Sequence, residues 1–158
     1  GNAEKAEAYF KQAAAKNANA PEVNANLGLV ELVKNNVAAA ETYLGKASGA
    51  NAVNEALGNL YIKQGQYQRA VNAFGDAKTN SAAQAQILAK DYNKAKATLE
   101  AIKDKDAMTD YLMAIVGART NNESLVKNSI KAAIAKDASL ATKAANDREF
   151  AKFASALK

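Results

Sequence analysis

Neither cysteine nor histidine occurs anywhere in these 158 residues. Disulfides, thiol nucleophiles, imidazole bases and the usual zinc sites are excluded at once. A chain without cysteine is compatible with any compartment. Tryptophan is also missing, and there is a single proline, Pro21. Long β-branched runs are lacking, which argues against a sheet. No apolar stretch approaches the roughly 20 residues of a membrane-spanning helix, so no membrane insertion is expected. No signal peptide is visible. Gly1 reads as a cloning remnant and the chain as trimmed, so a removed leader or further domain is an expectation.

Charge is present but scattered. The net charge is +5, yet Lys11, Lys16, Lys34, Lys46, Lys63, Lys78 and Lys90 arrive singly. A nucleic-acid binder clusters its cations, so no nucleic-acid partner is expected. Carboxylates are equally unorganised. Asp104-Lys105-Asp106 lacks the further ligands of a calcium loop and reads as a turn between helices. Glu4 and Glu7 share a face near a helix start, which the helix dipole explains. Asn122-Glu-Ser124 matches a glycosylation sequon, a frequent chance match. No nucleophile, base, metal cluster or phosphate loop can be assembled, so the expectation is a protein that is not an enzyme and has no cofactor.

What the chain has in abundance is alanine, roughly a quarter of its residues. Alanine is the best helix former and lets helices approach closely. A three-residue frame recurs within this background: Ala6, Phe10, Ala13; Ala40, Leu44, Ala47; Ala70, Phe74, Ala77; Ala95, Leu99, Ile102. A looser copy is Val126, Ile130, Ala133. The copies step by 34, 30, 25 and 31 residues, the period of stacked helix-turn-helix units. Twelve residues before each of the last four openers stands a small residue: Gly28, Gly58, Ala83 and Ala114. This predicts that a small residue on the first helix of each pair faces a small one on the second.

The pattern predicts an all-α chain of about nine to eleven helices. A half repeat spans 3–17, with Tyr9 widening its packed face. Helix pairs span 21–48, 51–78, 81–102 and 107–136. Within them the segments are 21–34 and 37–48, 51–64 and 67–78, 81–90 and 92–102, and 107–119 and 122–136. Pro21 suits a first helical turn. Gly49 and Gly65 read as stops. Ser81 with Gln84 reads as a capping box. A capping helix at 139–156, broken near Asn146-Asp147, carries a stripe of Phe150, Phe153, Ala154 and Leu157. The short spacing from Ala77 to Ala83 predicts a tight junction near Thr79-Asn80-Ser81.

The segment from Leu57 to Ala77 resembles the tetratricopeptide repeat family at Leu57-Gly58, Tyr61, Gly65, Tyr67, Ala70, Phe74 and Ala77. The copy from Leu27-Gly28 through Ala47 is similar, with Glu31 where the aromatic is expected. The later copies replace glycine by alanine. The resemblance covers about residues 3–137 and implies one domain, 1–158, built as an α-solenoid of antiparallel helix pairs with a right-handed superhelical twist. It also implies that Tyr61, Tyr67, Phe74 and Phe10 are core residues.

The same resemblance implies a concave groove lined by the first helices. Its outward positions are Asn26, Leu29 and Val33, then Glu55, Asn59 and Lys63, then Tyr111, Ile115 and Arg119. Ala25 and Leu29 stand where the family's two-carboxylate clamp wants lysine and asparagine, so that clamp is not expected. Asn59, Lys63, Tyr111 and Arg119 are the expected partner contacts, suited to an acidic extended or helical peptide. The C-terminal helix with Phe150 and Phe153 is the next place to look. The function expected is a scaffold that binds a protein or peptide. The alternative is an oligomerisation or linker module of a larger envelope protein, self-associating through end helices. The alanine- and asparagine-rich style looks bacterial, with the periplasm or envelope as the expected location and the cytoplasm as the alternative.

Overall fold

The computed structural model describes residues 2–47 and 51–155. Gly49 and Leu157, expected as a helix stop and as part of the terminal stripe, lie outside them. The described residues form ten α-helices and one 3-10 helix, with no strand among them. The chain divides into two compact units, Gly1–Phe74 and Gly75–Lys158.

The first unit holds α1 (Asn2–Lys16), α2 (Pro21–Val33), α3 (Val37–Lys46), α4 (Asn51–Lys63) and α5 (Tyr67–Phe74). Pro21 opens α2 as expected, because its missing N–H would have no partner there. α2 packs on α3 and α4 on α5, while α1 packs on α2 and α3 on α4. Ala40, Leu44, Ala70 and Phe74 of the recurring frame are buried. The first copy is only half-buried. Tyr9 does not widen its packed face but stands 72% exposed. Tyr67, at the first position of α5, is likewise exposed rather than core.

The second unit holds α6 (Asn80–Leu88), α7 (Tyr92–Ala101), α8 (Ala107–Arg119), α9 (Glu123–Lys136), α10 (Leu140–Asn146) and the 3-10 helix Arg148–Phe153. α6 packs on α7, α8 on α9, and both α6 and α7 on α8. The terminal segment breaks at Asp147, where the extended backbone ends α10 and the carboxylate caps the 3-10 helix. Phe150 and Phe153 are buried, while Ala154 is exposed.

One turn is used four times. Asn35, Gly65, Lys90 and Asn121 all have positive φ, between 55° and 72°. Each stands five residues before a frame opener, Ala40, Ala70, Ala95 or Val126. The next backbone N–H donates 2.8 Å back across the turn: Asn36 to Glu31, Gln66 to Tyr61, Asp91 to Gln86, Asn122 to Gly117. This left-handed C-terminal cap satisfies carbonyls that the helix leaves free. It also reverses the chain in three residues and fixes the register of the two helices it joins. Glycine and asparagine tolerate that conformation; lysine does so at a cost.

Register then decides what meets what. In the later pairs the small residue does share a buried cluster with the opener expected to face it, Ala83 with Ala95 and Ala114 with Val126; at the glycines a larger neighbour comes nearest. A Cβ on Gly28 would lie 2.5 Å from Leu44, and one on Gly58 would lie 2.4 Å from the Phe74 ring. The glycine is a hole for the large residue at the second frame position, one turn beyond the alanine. Two flat surfaces would leave the space beside the alanine unfilled, and a close-packed core does not tolerate that. In the second unit Leu99 lies in the same cluster as Ala83 and Ala95, and Ile130 in the same cluster as Ala114 and Val126.

Two boundaries differ from expectation. α5 stops at Phe74, not near 78, because Gly75 adopts φ 54°. Ala77 therefore lies off the helix, and five residues, 75–79, separate α5 from α6. The cap of α6 is Thr79, whose hydroxyl accepts from the Ala82 N–H at 3.2 Å. Thr79 has the extended φ and ψ an N-cap needs, whereas Ser81 lies inside the helix. Asp106, read as part of a loop, caps α8. Its carboxylate accepts from the Thr109 N–H at 2.7 Å, the Thr109 hydroxyl at 2.9 Å and Asn80 Nδ2 at 3.0 Å. The Thr109 N–H is the main cause holding this carboxyl below its ordinary range.

Two predictions test this packing. Gly58→Ala should destabilise by about 1–3 kcal/mol, since the Phe74 ring must move. Gly45→Ala on α3 meets nothing within 4 Å and should stabilise by about 0.5–1 kcal/mol. Chemical denaturation of the two variants reads both signs, and equal effects would refute the glycine-as-hole account. Lys90→Gly should relieve the left-handed strain and raise stability by about 0.5–1 kcal/mol. A drop in its melting temperature would place Lys90 in a favourable interaction instead.

Candidate functional site

The four expected contact residues fall in two separate places. Asn59 and Lys63 are one turn apart on α4 of the first unit. Both are exposed, and neither has a hydrogen-bond or ion-pair partner among the described residues. Together with Glu55, Ala56 and Leu60 they form one wall of a hollow of about 320 Å³; Leu29 and Leu32 of α2 form the other. Leu29 is 46% exposed, and Val33 one turn along is 76% exposed. An apolar floor with an amide, a carboxylate and a cation at its edge is what a side-chain-sized binding hollow requires, and the volume sits at the low end of the roughly 300–1,000 Å³ of ligand sites.

Tyr111 and Arg119 stand elsewhere, on α8 of the second unit, and there the expectation is corrected. Tyr111 is 2% exposed. Its ring meets Phe150 edge to face, centroids 5.5 Å apart at 80°. Its hydroxyl donates 2.7 Å to Asp147 Oδ2, and the Lys143 ammonium sits 4.7 Å from its ring centroid. Arg119 makes a two-pronged contact to Glu149, with Nε 2.7 Å from Oε2 and Nη2 on Oε1. The reason is the chain's own C-terminal segment. Residues 147–153 lie on α8 and cover the face that repeat logic leaves open. Phe150 and Phe153 are thereby core residues rather than a reserve binding surface.

Burial, with the hydrogen bond to Asp147, pushes the Tyr111 phenol well above its ordinary value. A raised value means the folded state favours the protonated phenol. Stability from this group is complete below its unfolded value of 10.0 and is lost as pH rises toward the folded one.

Sequence reasoning missed a second set of charges. Glu7 is not merely a dipole partner near a helix start. Its carboxylate takes Lys11 at 2.5 Å and Lys34 at 2.9 Å, and Lys34 also reaches Glu31 at 3.3 Å. This ladder joins α1 to α2, and both lysines hold the Glu7 carboxyl below its ordinary range. Glu31, in the place of the expected aromatic, is buried, and one of its oxygens has no hydrogen-bond partner. In the next copy Tyr61 fills that place. Arg69 lies 4.1 Å over its ring and donates to its hydroxyl and to Glu41. The interspersed charges at sequence separations of 20–30 gave no signal before the helices were folded together.

Among the described residues, no three carboxylates converge on a point that could hold a metal ion. None of their helices is long and apolar enough to cross a membrane. The chain matches no protein-family model. A search of curated proteins finds none significantly similar to it.

Tyr111→Phe should cost about 1.5–3 kcal/mol at pH 8, the range for a hydrogen bond to a charged group. The gap to the parent should narrow by about 1.4 kcal/mol at pH 11, because only the parent must hold a phenol protonated there. Urea titrations at the two pH values measure the gap. An unchanged gap would remove the buried, hydrogen-bonded phenol from the account.

Proposed function

We propose that this chain is a helical-repeat binding protein of the tetratricopeptide kind, an α-solenoid of antiparallel pairs with a right-handed twist. It binds a protein or peptide partner through the first-helix faces and catalyses nothing. One observation carries the reading. Leu29 and Val33 are exposed beside a hollow whose rim residues, Glu55, Asn59 and Lys63, have no partners among the described residues. Exposed aliphatic residues at a rim of unpaired polar groups fit a contact surface better than a solvated one. Further support for the repeat class comes from the turn used four times at matched positions.

The alternative is a module that self-associates through an end helix. Tyr9 on α1, 72% exposed, favours it. Sedimentation of the chain separates the two: concentration-dependent dimers abolished by Tyr9→Glu would support the second reading.

An NMR titration of the full chain against acidic, basic and neutral amphipathic peptides tests the first. Amide shifts should fall on residues 29–33 and 55–63. The double variant Leu29→Ala, Lys63→Ala should bind about tenfold more weakly, roughly 1.4 kcal/mol, with an unchanged melting temperature. A panel in which no peptide perturbs those residues would dismiss this binding face.

A further inference from the structure

The chemistry of the occupant is written in the chain itself. In the recurring frame, Lys63 on α4 holds the place that Arg119 holds on α8; each stands seven residues before its opener, Ala70 or Val126. By the same count Asn59 corresponds to Ile115 and Glu55 to Tyr111. On α8 those places are filled by the chain's own segment 147–153. Arg119 takes the Glu149 carboxylate, Phe150 lies against Tyr111, and Tyr111 takes Asp147. Ile115 packs against the same apolar cluster as Phe150. The segment is a ligand held in place by its own chain. It shows what the Tyr111–Ile115–Arg119 face of α8 accepts when α9 and α10 close the other side: a carboxylate followed directly by an aromatic ring, with a further polar group two residues before.

The hollow of α2 and α4 keeps the cation and changes the other two places, with Asn59 for Ile115 and Glu55 for Tyr111. Lys63 is a cation without a partner among the described residues, in the place of Arg119. Leu29, Leu32, Ala56 and Leu60 provide an apolar floor for one ring, and 320 Å³ suits one aromatic side chain with its backbone. Glu55, however, is a carboxylate where Tyr111 offers a hydroxyl donor. Two helical turns, about 12 Å, separate it from Lys63. It would repel an acid in the place of Asp147 and attract a cation.

We propose that this hollow docks a short segment of a partner protein in which a cation stands two residues before a glutamate-aromatic pair. The inference rests on reading the hollow as a docking site. Residues 147–153 of a second copy are the poorer occupant, because Asp147 would meet Glu55. Charge complementarity at both ends of the hollow fixes the direction of the segment, and the ring supplies the buried area.

The test uses the full chain and blocked seven-residue peptides with the sequence of Asp147–Phe153. The probe carries Asp147→Lys; controls add Glu149→Gln or Phe150→Ala, and a fourth peptide keeps the parent sequence. NMR titration should show the probe shifting residues 29–33 and 55–63. Both controls and the parent peptide should bind at least tenfold more weakly. Lys63→Glu in the chain should weaken the probe at least tenfold without lowering the melting temperature. Equal binding of probe and controls would overturn the proposal, as would shifts confined to α8 and residues 140–153. If a peptide lacking the glutamate-aromatic pair shifts the same hollow instead, the ligand class is wrong and the docking reading survives. If neither these peptides nor the wider amphipathic panel shift it, both fall.

Discussion

The seating of one large side chain in a hole on the facing helix is the interaction on which the rest depends. Leu44 over Gly28 and Phe74 over Gly58 set how closely each pair of helices can approach. Interiors pack at crystal-like density, so such a contact has one good geometry and no nearby substitute. The left-handed turn beside it makes that geometry reachable. It reverses the chain in three residues and delivers the second helix at the register in which the hole and the side chain coincide. Hole and turn are separate local devices that specify the same hairpin, and such agreement between levels favours a single native state.

Polar side chains then tie elements together where apolar packing is thin. α1 contributes a half-buried frame, and the Glu7–Lys34–Glu31 ladder supplements it. Lys34 is the exposed partner of both pairs, and pairs open to solvent add little individually, commonly under about 1 kcal/mol. Their role here is orientation. Asp106 acts differently, since one carboxylate caps α8 and also receives Asn80 of α6. Arg69 does the same for α3, α4 and α5 through Glu41 and Tyr61. Glu31 is the buried carboxylate of the ladder, and one of its oxygens has no hydrogen-bond partner among the described residues, a departure from the usual pairing of buried polar groups.

The proposed function rests on which first-helix faces remain open. On α8 the C-terminal segment supplies a ring, a carboxylate for the tyrosine and another for the arginine. That face is complete, and nothing is left to recruit. On α4 the corresponding positions carry groups unpaired among the described residues, above an apolar floor. The recurring frame and its matched turns make such a comparison meaningful, because equivalent positions on a helix present equivalent directions.

The sequence by itself determined the helical class, most helix boundaries and the frame that becomes the core. Those features are local: alanine content, a period near 3.6 residues, and turn residues at fixed distances from Ala40, Ala70, Ala95 and Val126. The family resemblance also placed Asn59 and Lys63 as outward-facing on α4, and both are exposed. Only the tertiary structure decided the fate of Tyr111 and Arg119. Their helical positions are also outward by periodicity, but a segment some 30 residues further on returns to cover them. Periodicity reports which way a side chain points along one helix, and it carries nothing about what a distant piece of chain lays over that side. The same limit hides Leu44 and Phe74 as the side chains for which Gly28 and Gly58 make room. Spacing locates a small residue, but only the packed register says which neighbour it makes room for.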